Sequence, residues 1–193
     1  MQSGLLSLRK IDLSSNRLFS IPESIGQCSS LTDLYIENNQ LTKIPAALGN
    51  LDKLTWIKAG SNKLTSIPQE ICNISSLQLI SIENNRLSTL PEQTGDLKQL
   101  VFLNVASNRI QLLPQSFKDL QNLKFLHLEN NLLKELPPGI ENLKGFDCGS
   151  EENPEVNLFI SGNKLCNISG PVSIWADKFS PGWSVNQKCS KEK

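Results

Sequence analysis

An asparagine returns every 23 residues along most of this 193-residue chain. Asn16, Asn39, Asn62, Asn85, Asn108 and Asn131 keep that interval, and so do Leu8, Leu31, Leu54, Leu77, Leu100 and Leu123. Each unit reads L-x-x-L-x-L-x-x-N-x-L-x-x-I/L-P, as in "LTDLYIENNQLTKIP" and "LKFLHLENNLLKELP". A fixed period of this length means a stack of like supersecondary units. None can bury its own apolar face, so at least about three must stack to enclose a core. The six matching units exceed that minimum, and the chain length suits one domain.

Just ahead of each asparagine, apolar and polar residues alternate. Leu34 and Ile36 therefore point inward from a short strand, while Asp33, Tyr35 and Glu37 point outward. Parallel strands stack about 4.8 Å apart, so seven of them span roughly 30 Å. The asparagine is the turn residue. Its amide can satisfy backbone groups left free where the chain leaves the strand, which accounts for a recurring polar residue beside a dry core. Pro22, Pro45, Pro68, Pro91, Pro114 and Pro137 follow, with no amide hydrogen to donate, and favour an extended turn. The return leg, as in "PAALGNLDK", carries apolar residues at helical or 3-10 spacing. Over roughly residues 1–165 these units resemble the leucine-rich repeat family. That resemblance implies an α/β solenoid of about seven units, a horseshoe with a parallel concave sheet and short helical or 3-10 convex legs.

The two ends depart from the pattern differently. Leu5 sits one period before Cys28, in the last core position of a unit whose beginning is absent, so the expectation is a fragment of a longer array whose first strand leaves a sheet edge open. Near the other end the period slips, and Asn163 arrives about nine residues late. Leu158 and Ile160 fill the strand positions of a seventh unit, which places an insertion near 147–155, with Cys148, Glu151, Glu152 and Glu155 beside the concave rim. The expectation is a loop that folds over the last strands and adds acidic contacts above a disulfide-free Cys148; a solvated loop is the other reading. After Cys166 the leucine pattern stops. Residues 166–193 read as a C-terminal cap in which Trp175, Phe179 and Trp183 can lie over the open end of the core.

Composition narrows the function. Lys plus Arg equals Asp plus Glu at 19 each, so no basic footprint suggests nucleic acid. No apolar run approaches the roughly 18 residues of a membrane span, and the N-terminus lacks the layout of a signal peptide. Catalysis finds little support. His127 is the only histidine, with no serine or cysteine to pair with it, and reads as a solvated polar residue. The cysteines have no metal-ligand spacing and no Gly-rich phosphate loop occurs, so neither a metal nor a cofactor is implied.

Recognition is best sought on the outward strand columns. The first column runs Lys10, Asp33, Trp56, Leu79, Phe102, Phe125 and Asn157, with four consecutive large apolar residues facing solvent. Such a run marks an interaction site; alternatively the side chains merely pack on each other as cross-strand neighbours. The second column runs Asp12, Tyr35, Lys58, Ser81, Asn104, His127 and Phe159. In the third, Glu37, Glu83 and Glu129 alternate with Gly60, Ala106 and Ser161, a two-unit period of about 46 residues. Carboxylates on alternate strands avoid like charges side by side, and the small residues would leave notches suited to Lys or Arg of a partner; a solvated face inherited by duplication is the bland alternative.

The resemblance divides over compartment. The "LPxxIxxLxxL" legs are similar to those of cytoplasmic Ras-group leucine-rich repeat scaffolds, while "SGNKLC" resembles the final unit of plant-type receptor ectodomains. Cysteine-stapled caps of the latter kind imply secretion, with Cys166 and Cys189 the preferred pair. Cys28 reads as a core substitute for leucine and Cys72 as a convex-leg residue. Glycosylation sequons at Asn73 and Asn167 are no more frequent than chance predicts. The family implies a non-enzymatic module for a protein or peptide partner, most simply a receptor ectodomain in signalling. An intracellular scaffold and a ligand-free structural spacer are the alternatives.

Overall fold

The computed structural model describes residues 7–146 and 157–189. Seven strands form one parallel sheet in sequential order: β1 (Lys10–Asp12), β2 (Asp33–Tyr35), β3 (Trp56–Lys58), β4 (Leu79–Ser81), β5 (Phe102–Asn104), β6 (Phe125–His127) and β7 (Leu158–Phe159). Register is constant. Leu34 pairs with Ile57, Ile57 with Ile80, Ile80 with Leu103 and Leu103 with Leu126, all of them inward and 0–3% exposed. Leu31, Leu54, Leu77, Leu100 and Leu123 are wholly buried, whereas Leu8, at the N-terminal end of the described stack, is 38% exposed. Leu5 lies outside the described residues.

The asparagines hold the units together. Asn62 Oδ1 accepts the Leu41 N–H at 2.9 Å, and Asn62 Nδ2 donates to the Ile36 carbonyl of the preceding unit at 2.9 Å and to the Ala59 carbonyl of its own unit at 3.1 Å. Asn39, Asn85, Asn108, Asn131 and Asn163 repeat the arrangement. The Oδ1 bond reaches back 21 residues at Asn131 and 30 at Asn163, so nine residues enter between two rungs without altering the rung. Cys148, Glu151, Glu152 and Glu155 of that insertion, and the contacts expected of them, lie outside the described residues. Just before each rung the backbone takes positive φ, between 53° and 57° at Ser15, Asn38, Ser61, Asn84, Ser107 and Asn130 and 69° at Gly162. This left-handed residue turns the chain out of the strand, a position asparagine tolerates better than serine.

The convex legs are 3-10 in every repeat: Glu23–Gln27, Ala46–Asn50, Gln69–Asn73, Glu92–Asp96, Gln115–Asp119 and Ile140–Asn142. The proline ahead of each leg supplies the first acceptor, as where the Ile25 N–H reaches the Pro22 carbonyl at 3.1 Å. The steeper rise of a 3-10 turn, about 2.0 Å per residue, lets a five-residue leg cover its ground. Successive legs touch through backbone: a Cβ on Gly26, Gly49 or Gly95 would strike the main chain of Ala47, Glu70 or Ser116. Cys72 occupies the equivalent place in the third leg and is buried; burial pushes its thiol up to about 11 against the lowering hydrogen bond with Thr94, so it carries no thiolate near neutrality. Cys28 is buried in the core, as its leucine-like position implies.

The C-terminal end of the core is closed by α1 (Pro171–Phe179) and the turn after it. Trp175, Phe179 and Trp183 are each 6% exposed. Phe146 meets the edges of Trp175 and Phe179 at 5.3 and 5.5 Å, and Trp183 Nε1 donates to Asp177 at 2.8 Å. Gln187 then does what a further rung would do: Oε1 accepts the Leu165 N–H at 3.2 Å and Nε2 donates to the Ile160 carbonyl at 3.1 Å. A disulfide joins Cys166 to Cys189, Cα atoms 5.8 Å apart, and tethers the segment that carries this rung.

Replacing a rung leaves a buried N–H without its partner and removes one of the two hydrogen bonds accepted by each flanking carbonyl, as at Leu64 and at Ala59 and Ile82 around Asn85. Asn85→Ala is expected to lower stability by about 3 kcal/mol in urea unfolding; a loss under about 1 kcal/mol would mean that the rung is dispensable. The double substitution Cys166→Ala with Cys189→Ala releases a 23-residue separation, which loop entropy values at roughly 3 kcal/mol. Its expected local sign is faster hydrogen exchange at the Leu165 amide with no change at Leu64, and equal exchange at Leu165 with and without the bridge would contradict it.

Candidate protein-recognition face

Constant register turns the outward side chains of the strands into three rows crossing the sheet. In the first row Trp56 is 39% exposed and Leu79, Phe102 and Phe125 are half-buried. Phe102 and Phe125 have ring centroids 6.1 Å apart. The cross-strand packing anticipated as an alternative is thus present between Phe102 and Phe125, and it coexists with a partly exposed apolar strip. Asn157 does not extend that strip: it is 3% exposed, and its main-chain carbonyl accepts the Leu126 N–H. The β7 register that pairs Leu126 with Leu158 and His127 with Phe159 keeps Asn157 opposite Phe125, but its burial removes it from the accessible part of the row.

His127 is not the solvated polar residue that its sequence surroundings suggest. Its ring stacks on Phe159 at 4.2 Å and 9° and lies 5.4 Å from Phe102, and its Nδ1 sits 3.3 Å from Glu129 Oε1. The second row therefore ends in an aromatic stack that joins the first. Asn104, in the same row, accepts the Ala106 N–H at 3.0 Å through its Oδ1. At the opposite end Lys10 and Lys58 hold their ammonium groups 4.4 and 5.5 Å from the centroid of Tyr35. Burial raises the Tyr35 hydroxyl above the usual tyrosine range, helped by the carboxylates of Asp33, Glu37 and Asp12.

The third row is acidic but not notched. Glu37 accepts the Ser14 hydroxyl at 2.8 Å, and Glu83 accepts that of Ser81 at 2.6 Å. The Glu83 carboxylate fills the space that a Cβ on Gly60 would need, and Ala106 is only 6% exposed. The small residues make room for carboxylates of the same chain, a correction to the reading of open clefts between them. Ser81 belongs to the second outward row and Ser14 stands one period before Glu37 in the third, so both hydroxyls lie on the face beside the carboxylates they bind. Among the described residues no carboxylate pairs with a lysine or arginine, Glu129 lies beside His127, and no group of His, Cys, Asp and Glu could hold a metal.

Other features lie off this face. One hollow is lined by Ser66, Ile67, Thr89, Leu90 and Pro91, and another by Lys134, Glu135, Asn167, Ile168 and Val172. Asn73 and Asn167 are both exposed. No helix among the described residues is long and apolar enough to cross a membrane.

Two family models match the sequence, one described as a leucine-rich repeat over residues 7–64 and one as a leucine-rich repeat region over residues 69–148. No curated protein matches it. Among solved structures, the plant peptide hormone receptor RGFR1 in complex with RGF2 is 28% identical with a TM-score of 0.70, over 81% of this chain and 25% of that one. The ectodomain of the plant membrane receptor kinase GASSHO1/SCHENGEN3 from Arabidopsis thaliana, in complex with Casparian strip integrity factor 2, is 26% identical with a TM-score of 0.75, over 92% and 21%. An internalin from Listeria monocytogenes is 26% identical with a TM-score of 0.69, over 96% and 48%. The chain thus spans less than half the length of each of these three proteins. Repeat sequence and solenoid architecture agree: this chain belongs to the leucine-rich repeat family, whose repeats typically serve as protein-interaction modules.

Proposed function

We propose that the chain is a recognition module that binds a protein or peptide on its concave sheet, without chemistry of its own, and that it serves as an extracellular receptor-type ectodomain in signalling. The observation that carries this reading is the continuous row Trp56, Leu79, Phe102 and Phe125, extended by His127 and Phe159 and bordered by Tyr35, Lys58, Asn104 and the glutamates Glu37, Glu83 and Glu129. An apolar strip with a polar, hydrogen-bonding rim is the anatomy of an interface core and its surround. The bridge between Cys166 and Cys189 supports an oxidising compartment. So does the likeness to two plant receptors solved in complex with RGF2 and with Casparian strip integrity factor 2.

A surrogate ligand suffices for the test. Peptides selected against the chain from a random display library should lose about 2 kcal/mol of affinity, roughly 30-fold, on Trp56→Ala and again on Phe102→Ala, with the unfolding midpoint nearly unchanged. Loss of thermal stability with affinity intact would instead assign the row to packing alone. Native material should carry the Cys166 to Cys189 bridge, and free thiols at both positions in peptide mapping would favour the intracellular scaffold.

A further inference from the structure

The acidic row says more about the partner than the aromatic row alone. Glu37, Glu83 and Glu129 each lie two residues past the end of β2, β4 and β6. Parallel pairing continues out to them: Ser15, Ser61 and Ser107 donate their N–H groups to the carbonyls of Glu37, Glu83 and Glu129, all at 2.8 Å. The row is therefore as regular as the strands, with glutamates about 9.6 Å apart on every second one. Their carboxylates receive hydrogen bonds from neutral hydroxyls or lie beside His127, and none pairs with a lysine or arginine among the described residues. The lysines of the face, Lys10 and Lys58, are drawn to Tyr35 instead. Glu129 Oε2 is shielded from water and has no hydrogen-bond partner. The concave face thus holds regularly spaced carboxylates that no lysine or arginine pairs among the described residues, parallel to an apolar strip four residues, about 13 Å, along the strands.

Building on the concave-face recognition argued above, we propose that the partner segment is a basic polyproline II stretch with a lysine or arginine at every third residue, lying across the strands from β2 to β6. Period selects this conformation. A polyproline II helix has three residues per turn and rises about 3.1 Å per residue, so every third side chain returns to one side after about 9.3 Å. An extended strand repeats a side after about 6.7 Å and an α-helix turn after about 5.4 Å, and neither matches alternate strands. Concave curvature brings the carboxylate tips closer together than their backbones, which moves the spacing toward the polyproline value. The prolines between the basic residues would rest on Trp56, Phe102 and Phe125, the packing by which aromatic-lined grooves take such segments, and the preformed helix limits the ordering entropy of binding. A polyanion such as nucleic acid would meet unscreened carboxylates and is disfavoured by the same charges.

The probe is the acetylated and amidated peptide (Pro-Pro-Arg)3, compared by isothermal titration with an isomer of the same composition whose three arginines are contiguous. The periodic peptide is expected to bind at least about tenfold more tightly than the isomer at low salt. Glu83→Gln, which keeps an acceptor for the Ser81 hydroxyl, should weaken it about tenfold and flatten its salt dependence, whereas Glu92→Gln on the convex leg should leave both unchanged. An unaltered unfolding midpoint in Glu83→Gln confirms that affinity alone has moved. Equal binding of the two isomers, no binding of (Pro-Pro-Arg)3, or no loss in Glu83→Gln overturns the inference. If display-selected peptides still require Trp56 in that case, concave recognition stands without the basic period; if none requires Trp56, the recognition reading falls with it.

Discussion

Each rung asparagine joins backbone from two adjacent units through one buried carboxamide. Asn108 takes the Leu87 N–H on its oxygen and gives its nitrogen's protons to Ile82 of the preceding unit and to Val105 of its own. No leucine contact could set register this tightly, because apolar packing is non-directional and tolerates sliding, while a slip of one residue would strand several buried polar groups at once. The 3-10 legs, the left-handed residue before each rung and the backbone approach at Gly26, Gly49 and Gly95 fit around this spacing. Because the rungs lock the register, the outward residues of separate units form unbroken rows, and the concave face becomes a surface with a defined pitch.

That surface is graded from end to end. Around β1 to β3 the lysines gather on Tyr35, with Asp12, Asp33 and Glu37 near its hydroxyl. From β5 to β7 the face is aromatic, with Phe102, Phe125, His127 and Phe159 in mutual contact. Self-packing and partner binding are compatible there: rings held by their neighbours lose little rotamer freedom on binding, so half-buried aromatics make better anchors than freely rotating ones. The cap contributes to the same stiffness by continuing the ladder through Gln187 and pinning that segment with the Cys166 to Cys189 bridge.

The repeat period was legible because it is written in residues whose role does not depend on context: Leu31 and its equivalents, Asn39 and its equivalents, and the proline before each leg. Alternation also told which side chains face out. It could not tell how outward side chains meet across strands, so the stacking of His127 on Phe159 and the covering of Gly60 by Glu83 were invisible. Asn157 keeps its place opposite Phe125, but its burial could not be read, because alternation gives the side of the strand and not the exposure. Gln187 escaped because its side chain is longer than a rung asparagine's and no leucine pattern surrounds it.

Hydroxyl-radical footprinting of the chain bound to a display-selected peptide tests the claim of a concave recognition face most directly. Trp56 and the row residues Phe102 and Phe125 compete there with Phe19 and Leu112, which are 66% and 56% exposed away from the row. Recognition on the concave sheet requires that binding protect Trp56, Phe102 and Phe125 and leave Phe19 and Leu112 as reactive as before. Protection of Phe19 or Leu112 with Trp56 unchanged would place recognition off the concave face and contradict it.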